Sequence, residues 1–315
     1  VDSAYLAGGT LKYPSETNVM EDSIYLLIDD PWDKGVWSYP LETTDVAVRF
    51  IEEAPPLDTA PTERLRYFLG FLDHEDEQVS AAAFGEFGRA DYPDIRALRP
   101  ELSRETLRGW VSDPEADQTS IGFYSLLLGL VGNADDAAYL EERILEPAND
   151  FRLGVDGMIT GYLMLTGDDG LDVIDREKLS DPEEPISEVY ATMKSLQFMW
   201  ESEPDRISQE RLRASMRFLL DRPDLADLVV ANLAHWHDWS AADRLIEIYD
   251  DEDFAVPAIK RAIVRYYLLA TRLSPDDERA PPPETAARCA EHLAQLREID
   301  PETVKQAERF FFLVE

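Results

Sequence analysis

Lysine is scarce in this chain and cysteine almost absent. Of 30 basic residues only six are lysine (Lys12, Lys34, Lys178, Lys194, Lys260, Lys305), and 65 acids set the formal net charge at −35. No basic stripe is left to neutralise phosphates, so nucleic-acid binding by electrostatics is excluded and an anionic membrane surface is disfavoured. The acids occupy nearly every connecting segment. Such a surface serves solubility in a salty medium, or it attracts a basic partner. The single cysteine, Cys289, rules out an intrachain disulfide. It lies in the apolar stretch from Ala286 to Ala290 and reads as a small buried residue rather than a reactive thiol. No stretch approaches 18 uninterrupted apolar residues, so membrane insertion is not expected. The chain begins at Val1 without a basic segment leading into an apolar one, which leaves two compartments open: the cytoplasm, or export after loss of a leader.

Catalytic signatures are missing too. There is no Gly-x-Ser-x-Gly elbow, and Gly8-Gly9 leads into a strand-like run rather than into a phosphate-binding loop and helix. With 65 acids, paired carboxylates arise by chance and single out no acid–base pair. No catalytic residue and no cofactor site is assigned. The only metal-ligand candidates are His235, His237 and Asp238, since imidazole suits zinc, copper or nickel. Residues two apart on a helix point about 200° away from each other, so these could converge only if a helix ends at Trp236. The simpler reading is such a helix end, with Trp236 packed inward and a histidine on the last carbonyls. Asp250-Asp251-Glu252-Asp253 and Asp168-Asp169-Gly170 lack the alternation, central glycine and distal glutamate of a calcium loop. They read as caps and solvated turns at helix starts.

What the chain does have is a recurring phrase. An apolar helix ends, two to four residues of Gly, Asn or Asp follow, and a second helix opens. The phrase runs through Gly132-Asn133-Ala134-Asp135, Gly167-Asp168-Asp169 and His235 to Ala242, and Gly132 and Gly167 stand 35 residues apart. A fixed period of this size marks stacked helical pairs, because one pair alone cannot bury its apolar face. Helices are expected from Asp45 almost to the C-terminus, with Thr44 and Ser103 as N-caps and Pro61 in a first turn. Ile121 to Val131 is apolar nearly all round and must be covered on more than one side. Gly157 and Gly161 form a small-residue spacing suited to close helix packing. Before residue 40 the profile is β-rich: Ser23 to Ile28, Val36 to Tyr39 and Thr10 to Tyr13 read as short strands.

Two segments, Leu72 to Ala83 and Tyr249 to Ala262, are similar to the second helix of a HEAT repeat. Each has an Asp-containing turn ahead of a helix that carries apolar and small residues. The chain thus resembles degenerate HEAT-like repeat proteins of uncharacterised bacterial families. The resemblance implies a mainly α fold, an α-α superhelix (HEAT/ARM-like solenoid) with a small β-rich N-terminal segment. It also implies a non-catalytic protein- or peptide-binding scaffold that uses the concave face. Residues 1–40 are expected as the β-rich segment, the remnant of a larger upstream unit or a cap. Residues 41–315 are expected as the repeat domain, with seams near 181–185 and 274–283, where prolines sit among acids. The expected partner is a protein or peptide, basic if the acidic loops steer it. The alternatives are an enzyme or metal-binding protein with a pocket between repeats, and an accessory spacer of a larger exported protein.

Overall fold

A computed structural model describes residues 23–27, 40–147 and 151–309 of the chain. They are mainly helical, with sixteen α-helices and one small antiparallel sheet among the described residues. The chain divides into two compact units, Val1–Leu102 and Ser103–Glu315.

In the first unit, β1 (Ile24–Leu26) pairs antiparallel with β2 (Leu41–Thr43), Ile24 opposite Thr43 and Leu26 opposite Leu41. The strand expected near Ser23 to Ile28 is thus present, but its partner is a stretch that sequence assigned to no element. The strands expected at Val36 to Tyr39 and Thr10 to Tyr13 lie outside the described residues. Four helices follow: α1 (Asp45–Glu53), α2 (Pro61–Leu69), α3 (Glu77–Phe87) and α4 (Tyr92–Ala97). Thr44 caps α1 by accepting from the Ala47 N–H at 3.0 Å, and Pro61 opens α2, both as expected. The short helix α4 was not anticipated. The helices enclose Phe50, Phe68, Leu72, Val79 and Phe87, and the Tyr67 hydroxyl donates to the Phe50 carbonyl at 2.9 Å. Gln78 on α3 holds the sheet: its Nε2 donates to the Glu42 carbonyl at 2.8 Å and its Oε1 accepts from the Thr43 hydroxyl at 2.8 Å.

The second unit runs α5 (Arg104–Ser112), α6 (Gln118–Val131), α7 (Ala134–Ile144), α8 (Val155–Thr166) and α9 (Asp168–Ile174). It continues through α10 (Ile186–Ser202), α11 (Gln209–Phe218), α12 (Ala226–His235) and α13 (Ala242–Asp250) to α14 (Pro257–Arg272), α15 (Pro283–Ile299) and α16 (Pro301–Arg309). Alternate helices are neighbours. α6 packs on α8, α8 on α10, α12 on α14 and α14 on α16, while α5, α7, α11, α13 and α15 each pack on the helix next to them in sequence. Between α10 and α12 the link is Gln197 Nε2 donating to Asn232 Oδ1 at 2.8 Å. Other links join residues a similar distance apart: Arg104 to Asp136 (2.6 Å), the Ser195 hydroxyl to the Asp156 carbonyl (2.8 Å), Arg211 to Asp172 (2.6 Å) and the Trp239 indole to the Arg279 carbonyl (2.7 Å). Those separations are 32, 39, 39 and 40 residues, close to the 35-residue spacing of Gly132 and Gly167.

The closest approach is between α6 and α8, and glycine makes it. A Cβ on Gly122 would lie 2.6 Å from the Gly154 Cα, and one on Gly129 2.8 Å from the Gly161 Cα. Gly154 has φ +75°, a left-handed conformation that glycine adopts at no steric cost. The Gly157/Gly161 spacing is therefore a packing device, and α6, buried at Tyr124, Leu127, Leu128 and Leu130, is covered on more than one side. Around α10 lies a buried charge cluster. α9 continues in a π-turn (Asp175–Leu179) that carries Lys178 inward, 5% exposed, onto Glu184 and Glu188, and Arg152 pairs with Glu188 from the other side. Burial opposes ionisation of Glu188, but the hydrogen bonds and charge of Arg152 and Lys178 outweigh it and hold the carboxyl below the usual glutamate range.

Candidate groove between two parallel-layer helices

A concavity of the second unit lies between α12 and α14 and has a volume of about 410 Å³. Its floor follows from helix periodicity. Ala231 and Ala234 on α12 and Ala258 and Ala262 on α14 stand three or four apart, on one face of each helix. Four side chains of one carbon each leave a trough where larger residues would interdigitate. Leu228, 42% exposed, and Leu269 add apolar surface. The polar lining is Asp227, His235, Arg261 and Arg265.

The two arginines are unusual in this chain. Most arginines hold a carboxylate, as Arg64 does Glu86, Arg211 does Asp175 and Arg217 does Asp238. Arg261 and Arg265 have no carboxylate within 4.0 Å and no hydrogen-bond partner among the described residues, and Arg265 Nε is buried. Like charges four apart on a helix repel by about 0.2–0.5 kcal/mol, and a buried donor left unmet costs about 1–3 kcal/mol. A carboxylate in the trough would relieve both costs. Tyr266 also lines the groove, but its hydroxyl is committed to the Asp238 carbonyl at 2.6 Å, and burial pushes its pKa far up.

The three sequence candidates for a metal are separated by role. α12 ends at His235, and the chain leaves it through a Schellman turn: the Asp238 N–H donates to the Leu233 carbonyl at 2.8 Å and the His237 N–H to the Ala234 carbonyl at 3.1 Å. His237 takes the left-handed position with φ 53°, usually a glycine's. Burial, then the neighbouring Arg279, His235 and Arg213, lower its pKa, so the ring is neutral at pH 7. Asp238 is buried and engaged: both carboxylate oxygens accept from Arg217, at 2.9 and 2.8 Å, and Oδ1 accepts from the Ser240 hydroxyl at 2.6 Å. His235 alone reaches the groove. Among the described residues no three His, Cys, Asp or Glu side chains gather as a metal-holding group. Trp236 does pack inward, its ring stacked on Trp200 at 4.4 Å. The last carbonyl, however, is met by Arg213, whose Nε lies 3.0 Å from the Trp236 oxygen, and not by a histidine side chain. A guanidinium reaching across from α11 supplies two donors where an imidazole would supply one.

Asp250, Asp251 and Glu252 of the acidic run border a second, more open hollow with Asp300 and Lys260. Asp251 caps the following turn by accepting from the Asp253 N–H at 2.9 Å, and Asp300 accepts from the Tyr249 hydroxyl at 3.0 Å. Asp168 and Asp169 stand in the first turn of α9, after Gly167. Cys289 is buried, and burial followed by the charge of Asp243 raises its pKa to about 11. No family model, curated protein or solved structure matches the chain.

Sequence reasoning missed Arg261 and Arg265, although a signal was there. Neither arginine has an acid three or four positions away on α14, and alanines stand at 258 and 262. No described helix is long and apolar enough to cross a membrane.

Proposed function

We propose that this protein is a binding module in which the even-numbered helices α6 to α16 form one layer of a HEAT-like stack, and that a segment of a partner protein docks on that layer. The observation that carries the reading is the alanine-floored groove between α12 and α14, with two arginines that have no partner among the described residues. A groove of this volume falls in the range of about 300–1,000 Å³ typical of ligand sites. The reading is supported by the alternation of neighbours α6–α8–α10 and α12–α14–α16, and by side-chain links that recur about one helical pair apart. Stacked pairs expose long helical surfaces to partners, and such surfaces recognise extended or helical segments. No chemical step is assigned to the groove.

Peptide display against the whole protein, with the Ala231→Trp variant as counter-target, tests the reading. Ala231 is exposed on the groove floor, so tryptophan fills the trough without entering the core. Enriched peptides that bind the natural chain and lose the variant are the expected result. Peptides that bind both equally would place docking elsewhere and overturn the reading.

A further inference from the structure

Resting on that reading, we infer that the α12–α14 groove selects an acidic partner segment, one that sets a glutamate or aspartate carboxylate against Arg261 and Arg265 and an aliphatic side chain against the alanine floor. The net charge of the chain, −35, suggests the opposite preference, for a basic partner. Local chemistry outweighs it at contact. Long-range repulsion between the chain and an acidic segment falls off within a Debye length, about 10 Å at 0.1 M salt, whereas a half-buried guanidinium–carboxylate pair is screened far less. A lysine in the trough would meet two guanidinium groups and only one lining carboxylate, Asp227.

A peptide fits the dimensions. The lining of α12 runs from Asp227 to His235, nine residues whose ends are roughly 12 Å apart along the helix, which matches about four residues of extended chain. One acid and one flanking aliphatic residue occupy that length, with the carboxylate able to accept bidentately from one guanidinium and singly from the other. His235, exposed at the edge, offers a further ring N–H.

The test is fluorescence anisotropy with a fluorescein-labelled heptapeptide carrying two glutamates among leucines and alanines, beside its counterpart with lysines in place of the glutamates. The natural chain, the Arg261→Gln/Arg265→Gln double variant and the Ala231→Trp variant are compared, with far-UV circular dichroism confirming that each is folded. The glutamate peptide should bind the natural chain and bind the double variant at least about tenfold more weakly, since a charge-assisted pair is worth about 1.5–3 kcal/mol and 1.4 kcal/mol is tenfold. Its association rate should rise between 0.05 and 0.5 M KCl, as screening removes the long-range repulsion (about the reverse of ordinary steered binding). Equal binding of the glutamate peptide to natural chain and double variant, or binding of the lysine peptide in its place, would overturn the acidic assignment and leave the docking face standing. Failure of the glutamate peptide to bind at all also overturns the assignment. Binding of either peptide that is indifferent to Ala231→Trp removes the docking face itself.

Discussion

Gly161→Ala is the sharpest test of how the second unit is built. A Cβ at this position would stand 2.7 Å from the Ser125 carbonyl carbon and 3.4 Å from the Leu126 nitrogen, with the Ser125 oxygen closer still. All three are backbone atoms of α6, so no side chain can rotate away. Restoring ordinary contact requires the helices to part by about 1 Å over several turns, which opens gaps along the buried Leu127, Leu128 and Ile159. Overpacking of this kind costs about 1–3 kcal/mol where side chains yield, and backbone collisions belong at the upper end, about 3 kcal/mol. Alanine recovers about 1 kcal/mol of helix propensity over glycine, so the net loss is about 2 kcal/mol. For a unit of this size that lowers Tm by about 4–8 °C. Gly109→Ala is the control: Gly109 lies in α5 and a Cβ there meets nothing within 4 Å, so propensity alone operates and Tm rises by about 2 °C. Thermal melts followed at 222 nm measure both. If Gly161→Ala melts with or above the natural chain, the α6–α8 contact is not the tight seam described.

Three further outcomes follow from buried or charged groups. Glu188→Gln should destabilise the protein by about 3 kcal/mol at pH 7, because it leaves Arg152 and Lys178 with a neutral partner in a buried site. The folded-state pKa of Glu188 is lowered, so its contribution is present above the unfolded value near 4.3 and fades as pH falls through the folded one. The gap between variant and natural chain, measured by urea titration, must therefore shrink below pH 4; a gap that persists there would sink the charge argument. Cys289, with a pKa raised to about 11 and no exposure, should resist a thiol-specific disulfide reagent at pH 8 until urea unfolds the chain; rapid labelling of the native protein would contradict its burial. Raising KCl from 0.05 to 1 M should raise Tm, since screening relieves the self-repulsion of 35 excess negative charges. A falling Tm would mean that the surface ion pairs outweigh that repulsion.

Helix starts were the most legible part of the sequence, because caps are local. Thr44, Ser103 and Pro61 sit where the side chain or ring alone sets the first turn, and each helix opens there. The glycine pair at 157 and 161 was legible for a similar reason: small residues four apart leave one face bare whatever lies opposite. Ends were less clear. α9 ends in a π-turn that no local signal marks, and the partners of its Lys178, Glu184 and Glu188, stand six and ten positions further on. β2 escaped notice because Leu41-Glu42-Thr43 carries no alternation; its pairing depends on Gln78, 36 residues on from Glu42. The His235–Asp238 turn was placed at the right helix end, but its partners Arg213 and Arg217 come from α11, and nothing within the pentapeptide announces them.

The groove joins these scales. In a chain with more than two acids for every base, an arginine that can reach a carboxylate will hold one, and most do. Among the described residues Arg261 and Arg265 hold no carboxylate, and their immediate surroundings are small. Alanines stand at 258 and 262 on their own helix and at 231 and 234 on the facing one, and no acid stands three or four positions away. Asp227 is the one acid of the lining, and it lies more than 4.0 Å from either guanidinium, which leaves both open to a carboxylate ligand. Specificity is a difference between affinities, and it is sharpened by excluding the wrong contact as much as by supplying the right one. On that logic, placing a glutamate in the floor should silence the groove: in Ala262→Glu the new carboxylate stands one position from Arg261 and three from Arg265, on the same helix. That variant should lose the glutamate heptapeptide as fully as the double arginine variant does, while its melting temperature stays level or rises as the buried Nε gains an acceptor. A variant that keeps the peptide would mean that the arginines are not what holds it.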